Sequence, residues 1–262
     1  MLAHSGDTQI YWESAGAGEP LLLVMGLGMA ATGWWRTIPV LAEELRVISF
    51  DNRGVGRSDR PRGPYTLAQM AEDAIAVLDA TNVATASVYG ISMGGMIAQE
   101  LALRHPERVR ALVLGATTAG GRRHQLPEVE VIDFLRRRPA MPAEEGVWAS
   151  VPYAYSRATR ERHAARIGED VVQRLRFPPE AEGYRAQAEA ARWHDTSGRL
   201  GSISAPTLVV HGSEDRIVPL ANGRLLAESI PGARLAVLED AGHLYPTDAP
   251  RAARKVARFL LG

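Results

Sequence analysis

The 262-residue chain has no cysteine, which removes disulfides, thiol nucleophiles and thiolate metal ligands together. It also lacks an excess of charge. Thirty Lys and Arg balance thirty Asp and Glu, so nothing marks a surface for nucleic acid or an anionic membrane. Lysine is almost missing: Lys255 stands alone, beside Arg254 and Arg258 on a solvated helix-like stretch. A Ser-Lys dyad, a Schiff-base lysine and a phosphate-binding P-loop are thereby set aside. No apolar run approaches the roughly 18 residues that span a bilayer. Residues 1–7 have neither the basic nor the apolar region of a secretory signal. These absences lead to the expectation of a cytoplasmic protein without cofactor or metal. Its partner is a small molecule rather than nucleic acid or membrane, and a homodimer is compatible with the sequence.

What is present is an alternation. Residues 8–13 have the polar and apolar alternation of an antiparallel edge strand and end in the turn-rich Ser14-Ala15-Gly16-Ala17-Gly18. Unbroken apolar runs then recur at 21–25, 46–50, 87–89, 109–114, 207–210 and 235–238, as expected of strands buried on both faces of a parallel sheet. Helix-period stretches at 34–45, 67–79, 93–104, 220–229 and 250–261 separate them. The order predicts one α/β domain with helices on both faces of the sheet. Between 117 and 202 the alternation fails. Helical spacing, as in Val129, Ile132, Phe134 and Leu135 or Val171, Val172 and Leu175, is cut by Pro139, Pro142, Pro152 and Pro178-Pro179. The expected organisation is a core of 1–116 and 203–262 with a helical lid of 117–202 over the carboxyl ends of the strands.

Gly90-Ile91-Ser92-Met93-Gly94 lies between an apolar strand and a helix. A serine on such a sharp turn exposes its Oγ, and the flanking glycines leave room for the chain to double back. The hydroxyl still needs a base. Among seven histidines, His243 follows the run 235–238 and would emerge at a strand's carboxyl end. His4, His124, His163 and His194 read as surface or capping residues, His105 as a helix end, and His211 as part of the turn after Val210. The imidazole in turn needs an acceptor on its second nitrogen. Asp215, in the loop after 207–210, is the choice, with Glu214 and Asp240 as substitutes. The order Ser92, Asp215, His243 decides for Asp215, since it is the order of nucleophile, acid and base on successive strands of an α/β-hydrolase sheet.

Four segments carry a resemblance: Met25-Gly26-Leu27-Gly28, the loop from Asp51 to Asp59, Gly90 to Gly95, and the pair Asp215 and His243. With them the chain resembles the compact esterases, lactonases and cofactor-free haloperoxidases of the α/β-hydrolase fold. The Ser-Met-Gly-Gly-Met run at 92–96 is most similar to that of 3-oxoadipate enol-lactonase-like hydrolases. The resemblance implies a mostly parallel sheet of about eight strands. It also implies a serine hydrolase acting on an ester or lactone of a small, largely apolar or aromatic molecule through an acyl-enzyme. Carbon-carbon bond hydrolysis, perhydrolase or haloperoxidase chemistry and a small-molecule receptor use the same scaffold. The oxyanion hole is expected from the backbone amides of Met93 and Leu27. Met25 stands where the family pattern has His, so the Leu27 loop lacks its usual polar anchor.

The loop from 51 to 59, despite Gly54-Val55-Gly56, has no Lys-Ser/Thr after it, and the resemblance makes it structural, with Asp51 and Arg53 tying strand ends. Gly26, Trp148 and Trp193 are expected to line the substrate pocket; Trp34, Trp35, Tyr153 and Tyr155 read more as core. Arg136-Arg137-Arg138 and Arg122-Arg123-His124 read as a solvated lid face, with an anion clamp as the sharper alternative.

Overall fold

The computed structural model describes residues 1–262. Eight strands form one sheet in the order β1-β2-β4-β3-β5-β6-β7-β8. They are β1 (Leu2–Ser5), β2 (Thr8–Ala15), β3 (Glu19–Val24), β4 (Leu45–Phe50), β5 (Ala86–Ile91), β6 (Val109–Gly115), β7 (Thr207–Gly212) and β8 (Arg234–Leu238). From β4 through β8 neighbouring strands run parallel, and β2 runs antiparallel to both its neighbours, β1 and β4. The expected edge strand at 8–13 is therefore the second strand, not the edge. Residues 6 and 7 make a two-residue turn, with Gly6 at a φ of 58°, that folds the short β1 back as the true edge.

The continuous apolar runs are explained by how the pleat divides them. Leu21 and Leu23 enter one core cluster with Val47, Tyr89 and Ile91, while Leu22 and Val24 enter the other with Ile48 and Val88. Each strand thus needs apolar residues at every position. On one face lie α2 (Leu67–Ala80) and α3 (Met93–Arg104); α2 starts at Thr66, whose hydroxyl accepts the Gln69 N–H, and buries Leu67, Met70, Ala71, Ala74, Val77 and Leu78 at helical spacing. The opposite face is covered by α1 (Ile38–Leu41) and α12 (Ala252–Leu261). The helix expected at 34–45 is only a 3₁₀ turn, Ala31–Trp34, and the single turn of α1. Gly33 favours leaving the helix, and Pro39 fits only a helix's first turn.

Between β6 and β7 the chain is helical: α4 (Val129–Arg137), α5 (Ala143–Ala149), α6 (Val151–Ala154), α7 (Arg157–Arg162), α8 (Ala164–Leu175) and α9 (Ala181–Arg192). Its two ends are joined by an antiparallel bridge between Gly120 and Asp195 and by the Thr196 N–H donated to the Ala119 carbonyl. These helices have a small apolar core of their own, with Val147, Tyr155, Ile167 and Val171. After β7 come α10 (Leu220–Ser229) and, after β8, α11 (Tyr245–Asp248). No helix is long and apolar enough to cross a membrane.

Candidate active site

Ser92 sits between the end of β5 and the start of α3 with φ 57° and ψ −125°, a left-handed backbone that only a tightly determined turn holds. Its N–H is donated to the Gly115 carbonyl at 2.8 Å, and its own carbonyl accepts the Thr117 hydroxyl at 2.7 Å. The glycines have steric reasons. A Cβ on Gly90 would strike the Gly94 carbonyl, and one on Gly94 the Val24 carbonyl. The turn therefore presses against the ends of its neighbouring strand and helix, and Oγ has nowhere to point but outward.

His243, on the loop after β8, places Nε2 3.0 Å from Ser92 Oγ. Its Nδ1 lies 2.9 Å and 3.1 Å from the two oxygens of Asp215, on the loop after β7. Asp215 is held in turn by the N–H groups of Ile217 and Val218, both donated to Oδ1. Burial alone would push the Asp215 carboxyl up, but His243 and His211 beside it outweigh burial and bring its pKa down to about 2. The carboxylate is thus ionised at any ordinary pH. Glu214 instead accepts the Arg157 N–H, and Asp240 is exposed on the turn before His243, so neither reaches the imidazole.

His211 departs from its reading as a turn residue. It is the fifth residue of β7, fully buried, with Nε2 donating to the Val218 carbonyl at 2.8 Å and lying 3.4 Å from Asp215 Oδ2. Nδ1 has no partner, because Gly223 of α10 packs directly on it. His194 is buried as well, and burial lowers its pKa to about 4.

A cavity of about 110 Å³ opens on Ser92 and His243. Gly26 lines it, close enough that a Cβ there would lie 3.1 Å from the Ser92 Cβ. Leu27 also lines it, and its N–H is bonded to no group of the protein; the Met93 N–H, first in α3, precedes any helical acceptor. Both amides are free to receive an oxyanion. The polar anchor that Met25 cannot supply comes from elsewhere. Asn52 donates to the Met25 carbonyl at 2.9 Å, and the wholly buried Gln187 of α9 accepts the Gly28 N–H at 2.9 Å while donating to the Arg53 carbonyl at 2.8 Å. Asp51 accepts the Ala31 N–H and pairs with Arg57, and Arg53 grips Asp73 through two bonds of 2.6 and 2.5 Å.

Trp148 and Trp193 do not line the cavity. Trp148 is 48% exposed, because α5 turns Gly146 and Val147 inward instead. Trp193 is 73% exposed and donates to Glu189 along the outside of α9, whose inward stripe is Gly183, Tyr184, Gln187 and Ala190. The aromatic walls are Phe134 and Tyr184. Trp34 is core, tilted against Tyr89 with ring centroids 4.8 Å apart. Arg136 and Arg137 are exposed, but Arg138 is buried and faces the cavity, where a solvated side chain was expected. Arg138, just past the end of α4, continues the buried stripe of Val131 and Phe134 at helical spacing. That spacing is the signal by which it could have been found.

Comparison with known proteins agrees with this architecture. The α/β hydrolase fold family matches residues 19–250. A protein of Azorhizobium caulinodans named as a carbamate hydrolase is 36% identical over 250 residues, which is 95% of this chain and 93% of that protein. The 3-oxoadipate enol-lactonase 2 of Acinetobacter baylyi is 32% identical over 237 residues, 88% of this chain and 84% of its own. The crystal structure of the enol-lactonase from Burkholderia xenovorans LB400 superposes over the whole of both chains with a TM-score of 0.89 at 28% identity.

Proposed function

The chain belongs to the α/β-hydrolase family and is a hydrolase, and from that premise we propose that it cleaves a small ester or lactone through Ser92, His243 and Asp215. The observation that carries this reading is the unbroken line from Ser92 Oγ to His243 Nε2 at 3.0 Å and from His243 Nδ1 to Asp215 at 2.9 Å, at the mouth of a cavity. Ser92 attacks the carbonyl as His243 takes its proton. Asp215 keeps the proton of the neutral imidazole on Nδ1 and stabilises the cation that forms. The tetrahedral oxyanion accepts bonds from the Met93 and Leu27 amides, each such donor contributing about 10²- to 10³-fold in rate. His243 then protonates the leaving alcohol, and a water, activated by the same imidazole, releases the acid. Residues 117–202 act as the lid that walls the substrate in. The relation to an enol-lactonase supports a lactone or enol ester over a larger substrate, as does a cavity of only about 110 Å³.

The test is hydrolysis of short p-nitrophenyl esters together with labelling by a fluorophosphonate. Ser92→Ala is expected to abolish both; ester turnover equal to wild type in that variant overturns the assignment.

A further inference from the structure

Two arginines line the cavity with Ser92, and neither has an anionic partner. Arg138 is 6% exposed, its guanidinium takes part in no ion pair, and burial together with repulsion from Arg174 lowers its pKa. Arg174 of α8 donates one bond, from Nη1 to Ser150 Oγ at 3.2 Å, and its Nε–H is buried without a partner. The carboxylate one helical turn before it, Asp170, is committed elsewhere, to Trp35 Nε1, Arg36, the Tyr155 hydroxyl and the Thr247 hydroxyl.

Such an arrangement is costly, since a buried cation and a half-buried one face each other with no carboxylate to neutralise either. Two other arginines near the site show the contrast. Buried Arg53 is paired with Asp73, and half-buried Arg57 with Asp51. The site is nevertheless shaped around its charge. The Arg138 guanidinium lies directly on Gly146 of α5, where any side chain would displace it, and 5.2 Å from the centre of the Tyr184 ring.

We propose that Arg138 and Arg174 form an anion subsite, and that the ester or lactone cleaved at Ser92 carries a free carboxylate that docks there. The proposal rests on the reading of Ser92 as the nucleophile. Planar guanidiniums match a carboxylate with paired, charge-assisted hydrogen bonds. A bound carboxylate gives the Arg174 Nε–H an acceptor and relieves the repulsion between the two cations. The apolar remainder of the cavity, with Phe134, Val147 and Ile217, takes the short carbon chain between the two polar ends.

Two measurements separate this subsite from the hydrolase reading. The first is calorimetric titration of the wild-type protein near neutral pH with succinate, glutarate and adipate, against the corresponding neutral diamides. The tightest of the three dicarboxylates is expected to bind at least about 10-fold more tightly than its diamide, and Arg138→Met and Arg174→Met to remove that difference, while Arg138→Lys restores part of it. The second compares kcat/KM for the monomethyl and dimethyl esters of the same acids. The monoester is expected to be favoured at least about 10-fold, and the ratio to collapse towards one when both arginines are replaced. Dicarboxylates that bind no better than their diamides, or a monoester preference that survives in the double variant, overturn the subsite. If both esters are cleaved at equal rates the subsite fails and the hydrolase stands. If dicarboxylates bind through the arginines while no ester is turned over, the subsite stands and the hydrolase reading fails.

Discussion

Gln187 accepts the Gly28 N–H at 2.9 Å, and through that one bond a helix from the segment between β6 and β7 holds the loop that carries the Leu27 amide. The same side chain donates to the Arg53 carbonyl, so it closes a bridge from α9 to two loops at the carboxyl ends of β3 and β4. Replacing it with Leu leaves two buried backbone groups without partners, at about 1–3 kcal/mol for each. Gln187→Leu is therefore expected to lower both the melting temperature and kcat. The kinetic loss should be about 10- to 100-fold, below that of deleting an oxyanion donor, because the Leu27 amide is displaced rather than removed. KM should change much less. Steady-state kinetics beside a melting curve check this; a lowered melting temperature with wild-type kcat would assign Gln187 to the fold alone.

Asp215→Asn should reduce kcat by about 10⁴-fold, since Asn accepts poorly from the imidazole and favours the wrong tautomer. No other carboxylate can take over, because Glu214 is held by the Arg157 N–H and Asp240 points to solvent. Glu214→Gln and Asp240→Asn should keep near wild-type kcat in the same assay. A small loss in Asp215→Asn would mean that another acceptor reaches His243 Nδ1.

Stability should fall on mild acidification, and His194 should account for a definite share. Burial lowers its pKa from the ordinary 6.5 to about 4, so the unfolded chain takes up this proton first. The contribution is complete above pH 6.5, declines as pH falls, and is gone below the folded pKa of about 4. It amounts to about 3 kcal/mol in full, at 1.36 kcal/mol for each pKa unit. His124, also lowered by burial, acts in the same direction. Urea unfolding of wild type and His194→Gln at several pH values is the check, and the variant should show the flatter profile. Parallel profiles would remove His194 from this role.

Gly146→Ala tests the anion subsite by shape rather than charge. The added methyl occupies the place of the Arg138 guanidinium, while alanine in the body of α5 favours the helix by about 1 kcal/mol over glycine. The preference for a monomethyl over a dimethyl dicarboxylic ester should drop although every charge remains. An undiminished preference would show that the guanidinium can bind its anion from another position.

The nucleophile turn was legible because its causes are local. Gly90 clears space for the Gly94 carbonyl four residues on, and the strand and helix on either side announce themselves by their apolar patterns; only the Val24 carbonyl, for which Gly94 makes room, comes from a distant strand. The placing of Asp215 and His243 after later strands followed from their order. The pocket wall was not legible in the same way. Trp148 and Trp193 look like ligand contacts in a list of residues, yet a shift of one position on α5 and the ending of α9 at Arg192 turn them to solvent. His211 looked like a turn because its strand extends to Gly212, two residues beyond the apolar run.

Composition, glycine spacing and strand order were thus enough, by themselves, for the α/β sheet and for the order of serine, acid and histidine on it. They act over a few residues or through chain order, which a sequence displays directly. Which charges are buried, and which of those go unpaired, was decided only by the tertiary structure. Arg138 stands in a run of three arginines that are alike in sequence. It is the one brought against Gly146, Tyr184 and Arg174, from three other helices, because solvation depends on everything that packs around a group, not on its neighbours along the chain.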